Sequence, residues 1–350
     1  MYFGLSEEQT FFQDNVKKFL DDQAPLDVIR QITAEKNTSI QEEIRQGLTN
    51  LGLNALLIPE DYGGLGLDLL FAAAVSEGLG SGVAPISFTG SYVMAPLAIM
   101  HGGSDVQKEN YLTKISSNTV KFGIGLSEYI GAREDAKLII NGNKVNGKAL
   151  FVIDADDASH FILSDDQGTM FIVDADDSGL EVIELTSVDK TRSYVEILLN
   201  NVTAEILDNT VKNNNAIEKT IDAGRIMLAA DSVGAAQVMI DKSVEYAKER
   251  KQFGRVIGSF QAVKHMCAEM TAELEPCYAI VWHAAHCFDY IPEEARLLAC
   301  QSKSHISEVT KMVAKKATEV HGGMGFTCLL YTSDAADEGL GVDLGGRRII

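Results

Sequence analysis

The hydrophobic period of this chain changes twice, near residues 120 and 217, and that double change limits the fold more than any other feature. Up to about residue 119, apolar residues recur three and four apart, the spacing of helices buried on one face. Ser6-Glu7-Glu8-Gln9 reads as a capping box, with Phe12, Val16, Phe19 and Leu20 on one face behind it. Ser39 to Glu42 reads as a second box ahead of Ile44, Leu48 and Leu51, with Gly52 as the C-cap. Pro59 to Gly66 is a loop. Leu69 to Leu79 is helical, and its alanines predict close helix packing; Tyr92 to Met100 and Val106 to Ile115 continue the helical half.

Between residues 120 and 212 the runs are short and strand-like: Lys121–Ile124, Lys137–Ile140, Leu150–Ile153, Phe161–Leu163, Met170–Val173, Leu180–Leu185 and Tyr194–Leu199. Asn141-Gly142 and Asp165 to Gly168 are hairpin-type turns. Strands at this spacing predict a small antiparallel barrel or sandwich. From Ile217 helical spacing returns through Ile221, Leu228, Val233, Met239 and Ile240. Pro276 is expected to kink the helix that starts near Phe260, and Pro292-Glu293-Glu294 to open the last one. The fold is therefore α+β. A helical bundle over 1–119 precedes a β-barrel over 120–212 and a second helical bundle over 213–327.

Composition excludes several functions. A net charge of −20 argues against nucleic acid and against anionic membranes. No apolar run is long enough to span a bilayer, and the N-terminus lacks a signal pattern. The five cysteines are odd in number and four lie in helical runs, which predicts reduced thiols and a cytoplasmic protein. No C-x-x-C is present, so no metal site is expected. His265, His283, His286 and His321 show no ligand spacing and read as helix-face residues. Residues 328–350 have no amphipathic period. Cys328 to Ser333 back-translates as a sequencing-library transposon end, so the stretch reads as a non-native tail that leaves the last helical domain incomplete.

Lys248 to Lys251 close a long helix, Gly254 and Gly258 break the pattern, and a new helix starts at Phe260. The run Glu249 to Gln261 at this bend resembles the flavin-binding turn of the acyl-CoA dehydrogenase family. Four further stretches resemble the same family in the same order: Pro59 to Gly66, Gly125 to Glu128, Phe151 to Ala155 and His321 to Phe326. Together they cover about residues 3–327. The resemblance implies FAD, an acyl-CoA substrate desaturated at Cα–Cβ, an electron-transfer flavoprotein as acceptor, and a homo- or hetero-oligomer of related subunits. It also implies the site. Leu126, Ser127 and Glu128 match the loop at the flavin ring, where Ser127 would donate. Phe151 matches the aromatic packed on the ring, and Ile153 stands where a hydroxyl residue usually bonds flavin N5. Arg250, Gln252, Phe253 and Gln261 match residues that reach the FAD of a neighbouring subunit, with Arg250 suited to the pyrophosphate. Gly322 and Gly323 would let backbone approach the same cofactor, and Arg225 matches a substrate-binding arginine. Tyr129 to Arg133 departs from the family's Pro-x-Ala-Gly-Ser.

Desaturation also needs a base for the α proton, because the flavin takes only the β hydride. The family places its glutamate either beyond the Gly-Gly-x-Gly-Phe run or just before the arginine matching Arg225, and that second position is Gly224. Asp231, seven residues on and on roughly the same helix face, is the nearest carboxylate. Two alternatives stay open: a non-catalytic partner subunit, and a flavin oxidase or monooxygenase on the same fold.

Overall fold

The computed structural model describes residues 4–35, 38–131, 137–210 and 215–325. Among the described residues, helices come first: α1 (Glu7–Gln23), α2 (Leu26–Glu35), α3 (Thr38–Asn50), α4 (Leu69–Ser81), α5 (Ala95–Gly102) and α6 (Asp105–Ser116). A π-helix at Thr89–Met94 runs directly into α5. The strands β1 (Phe122–Gly125), β2 (Lys137–Asn141), β3 (Lys144–Ile153), β4 (His160–Ser164), β5 (Met170–Asp174), β6 (Leu180–Glu184) and β7 (Tyr194–Ile206) follow. The chain returns to helix in α7 (Asn215–Glu249). A hairpin of β8 (Lys251–Gln252) and β9 (Arg255–Val256) then precedes α8 (Gln261–Tyr290) and α9 (Pro292–His321). The proposed non-native tail, 328–350, lies outside the described residues, as do Ala132 and Arg133.

These residues form two compact units. One comprises 29–72 and 85–224 and contains the strands from β1 to β7; the other comprises the chain up to 28, 73–84 and the part from 225 onward.

In the strand-bearing unit, the sheet order is β2-β3-β1-β4-β5-β7-β6, and β3 also pairs with β7. That extra pairing closes β3, β1, β4, β5 and β7 into a ring, with β2 and β6 as flanking strands. The barrel is as expected, but not wholly antiparallel: β1 and β4 run parallel, Phe122 opposite His160 through Gly125 opposite Leu163. Alternation explains the unbroken apolar runs. Phe161, Leu163, Phe171 and Val173 point into the ring with Val145, Val152, Val195 and Ile197. Ile162, Met170 and Ile172 point outward and are buried with Ile99, Leu112, Ile115 and Ile217 of the helices. A strand buried on both faces loses the polar alternation that marks a half-exposed one.

In the other unit, α1 begins at the capping box read from the sequence. The Gln9 amide donates to Ser6 Oγ at 3.1 Å, and the Ser6 amide to Gln9 Oε1 at 2.8 Å. In the strand-bearing unit, by contrast, Ser39 lies inside α3, which begins at Thr38. α4 and α7 cross so closely that a Cβ on Gly80 would lie 2.0 Å from the Asp231 carbonyl oxygen, and one on Gly234 1.9 Å from that of Glu77. The close packing expected of the alanine-rich helix is therefore backbone against backbone. α8 runs without a break through Pro276. Ile291 alone joins it to α9. Among the described residues no helix is long and apolar enough to cross a membrane.

Candidate functional site

The strand-bearing unit gathers the β1 loop, the end of β3 and the π-helix. β3 and β7 shift register once between Val145 and Gly147, pair regularly from Gly147 opposite Leu199 to Ala149 opposite Ile197, and resume at Val152 opposite Val195. Leu150 and Phe151 of β3 thus stand against the single residue Glu196 of β7, which is a bulge, and Phe151 sits at φ +52°. A bulge re-aims a side chain and leaves backbone groups outside the ladder. Here the β1 loop takes up those groups. The Leu150 amide donates to Glu128 Oε1 at 3.0 Å, and Ser127 Oγ donates to the Leu150 carbonyl. Ser127 is expected to donate to a flavin ring; in this structure its one hydroxyl proton instead goes to the Leu150 carbonyl and holds the bulge that turns Phe151. Leu126 is buried beside them.

Glu128 is the residue whose importance the sequence understated. Its carboxylate is buried, and Oε2 has no hydrogen-bond partner. Burial pushes its pKa up to about 7, against the opposing bonds from the Leu150 amide, its own amide and Ser127. Asp154, directly after Ile153, is also buried and pushed up by burial to about 6. It accepts the amides of Gly90 and Ser91, at 2.6 and 3.0 Å, from the first turn of the π-helix. Ile153 packs against Gly90 in the same place, where a Cβ on the glycine would come within 3.1 Å of it. At the other end of the π-helix, Met94 lies where a side chain on residue 224 would go. A Cβ on Gly224 would meet its sulfur at 2.7 Å.

The helical unit holds the remaining residues singled out from the sequence. β8 and β9 are joined by Phe253 and Gly254, at φ +52° and +76°. Two successive positive φ values make the primed turn that suits a tight hairpin. The hairpin projects Phe253 into solvent at 91% exposure, while Arg250, Gln252 and Gln261 are exposed around it. Phe260 anchors the bend: the Arg255 guanidinium lies 4.0 Å from its ring centroid, and Phe253 meets its ring in an edge contact. Tyr246, near the end of α7, stacks on His321 at 4.6 Å, which brings the end of α9 to the same bend. Gly322 and Gly323 follow His321, and a Cβ on either would meet nothing within 4 Å.

Arg225 and Asp231 lie further back on α7. Arg225 Nη1 donates to Cys300 Sγ at 3.3 Å, and Lys303 lies one turn along α9. Burial first, and then the Arg225 charge, hold Lys303 down to about 8. This pair of adjacent cations escaped the sequence reading because its members are 78 positions apart in different helices. Asp231 is half-buried, with its backbone against Gly80.

Comparisons with known proteins fit this arrangement. Residues 6–119 match the N-terminal domain of acyl-CoA dehydrogenase and residues 214–339 its C-terminal domain. A probable acyl-CoA dehydrogenase of Bacillus subtilis is 31% identical over 93% of this chain and 90% of its own length. The CarC subunit of the caffeyl-CoA reductase–Etf complex of Acetobacterium woodii is 29% identical over the same shares. A glutaryl-coenzyme A dehydrogenase solved with glutaryl-CoA superposes with a TM-score of 0.86 at 24% identity, covering 97% of this chain and 92% of that one. With both helical domains matched and a relative of 31% identity aligned nearly end to end, the chain belongs to the acyl-CoA dehydrogenase family.

Proposed function

We propose that the protein is an FAD-dependent oxidoreductase that desaturates an acyl-CoA thioester between Cα and Cβ and passes the electrons to an electron-transfer flavoprotein. The observation that carries this reading is the β3 bulge, an aromatic residue turned out of its ladder and held there by Ser127 and Glu128. The residues fit a flavin. Glu128 Oε2 is a buried polar atom without a partner beside the matched ring-contact residues, and Gly322–Gly323 leave open space beside the exposed bend. Leu126, Ser127, Phe151 and Ile153 would hold the ring. Arg250, Gln252, Phe253 and Gln261, all exposed, would reach the cofactor of a neighbouring subunit. When bound, FAD supplies the hydride acceptor that no side chain can provide. Arg225 and Lys303 supply fixed positive charge suited to an anionic coenzyme. The free thiols at the four described cysteines support a cytoplasmic setting.

Asp231 is the proposed base for the α proton. Anaerobic mixing of the flavin-loaded protein with a panel of acyl-CoAs tests the whole reading through bleaching of the flavin. Asp231→Asn should keep FAD and lower the reduction rate about 10²-fold or more. Unchanged reduction would remove Asp231 from the mechanism. Met94 favours a second reading, a partner subunit without its own base, because it fills the space beside Gly224. In that case the wild type would not be reduced, and Gly224→Glu with Met94→Ala would gain reduction.

A further inference from the structure

The turn between α8 and α9 carries a cluster that the reaction above does not use. His283 and Cys287 are four residues apart on α8, so both side chains leave the same helix face. Because Ile291 is the whole connection, the first turn of α9 returns beside them and delivers Glu294. An imidazole nitrogen, the Cys287 sulfur and a Glu294 carboxylate oxygen all lie within 4.8 Å of one another. The sulfur is 3.7 Å from His283 Nδ1 and 3.8 Å from Nε2. From the sequence alone His283 shows no ligand spacing; H-x-x-x-C puts two donors on one helix face, and the helical hairpin adds a third.

We propose that His283, Cys287 and Glu294 form a zinc-binding site with three protein ligands and one position open to solvent. A tetrahedral zinc with bonds of about 2.3 Å to sulfur and about 2.0 Å to nitrogen requires a sulfur–nitrogen edge of about 3.5 Å. The unliganded spacing is slightly longer, and because the sulfur is almost equally far from both ring nitrogens, the imidazole would turn to aim one of them at the metal. The donor set selects the metal, because thiolate and imidazole disfavour magnesium and calcium. Cys287 is fully buried while Glu294 is exposed, so the open position faces outward past the carboxylate. Binding breaks the Cys287 S–H bond, forms S–Zn and releases the proton to solvent. Glu294 has a simpler role as a carboxylate that suits a helix N-terminus, but that role gives no reason for a thiol and an imidazole to converge on it.

The test uses the full flavin-loaded chain, stripped with a chelator and then titrated with zinc or cobalt. Wild type should retain one zinc per chain through gel filtration. Its cobalt form should show a thiolate-to-cobalt band in difference spectra against the zinc form, which cancel the flavin. Cys287→Ser should abolish the band. His283→Asn and Glu294→Gln, at half-exposed and exposed positions, should keep the fold and weaken zinc binding about tenfold or more. The proposal is overturned if wild type shows no cobalt–thiolate band, if zinc is held without that band, or if both of these milder variants bind zinc as wild type does. The last arm decides the matter even if Cys287→Ser fails to fold.

Discussion

Glu128→Gln should flatten the pH dependence of stability. The Glu128 carboxyl is buried at the β3 bulge, and its pKa rises from 4.5 to about 7 on folding. Below the unfolded value both states are protonated and the group has no effect on the balance. Above it the unfolded chain ionises while the folded one does not, so stability falls by about 1.4 kcal/mol per pH unit. The fall ends near the folded pKa, about 7, by which point the loss is about 3 kcal/mol. Glutamine keeps an oxygen for the Leu150 amide but cannot ionise. Its NH₂ group takes the place of Oε2, which has no partner in either protein. The two proteins should therefore be of similar stability at the acid end, and the difference should move by about 3 kcal/mol in favour of the variant across the window. Asp154, also raised, titrates in both proteins and cancels in the comparison. Guanidinium midpoints measured at several pH values read this directly. A difference that stays constant with pH would refute the burial of an ionisable group at this bulge.

Two further outcomes follow from the helical unit. Arg250→Ala with Gln261→Ala should purify without FAD and lose the stabilisation that bound ligand confers by mass action, measured by flavin content and melting temperature; a full complement of flavin would remove these residues from the cofactor site. Gly80→Ala should cost about 2–3 kcal/mol in denaturant unfolding, because its Cβ would overlap the Asp231 carbonyl at 2.0 Å and force α4 away from α7; an unchanged midpoint would refute the crossing.

The positions of the strands could be read from the sequence because burial on both faces made each an apolar run between turn residues. Their connectivity could not. Nothing local to Phe122–Gly125 says that it pairs parallel with β4, and nothing local to β3 says that β7 will close the ring on it. The candidate site divides in the same way. Motif order pointed to Ser127, Phe151, Arg250 and Gln261 as candidates, but the bulge that turns Phe151 exists only through pairing with a distant strand. Glu128 stands in the sequence as one residue of the loop matched to the flavin ring, and its burial depends on Leu150, far from it in the chain. Met94 beside Gly224 is a contact between segments 130 positions apart. His283 and Cys287 did carry a visible spacing, and what the sequence hid was the one-residue connection that returns Glu294. The capping box at Ser104 and Gln107 was also visible, yet only the structure singled it out.

The strand that closes the barrel is the same strand that carries the bulge. β3 runs from Lys144, opposite Thr203, to Ile153, opposite Tyr194, so its partner is made some forty to sixty residues later in the chain. Such a long-range pairing bears the loop-closure entropy before any contact compensates for it, and is therefore among the slower steps of folding. A hairpin such as β2–β3 can form early from neighbouring residues, but it contains no bulge at Phe151, because a bulge is defined by its mismatch with β7. The geometry proposed to face the flavin is thus absent from every partly folded form that lacks the closed ring. Cofactor capture during folding would act as a report that the ring had closed.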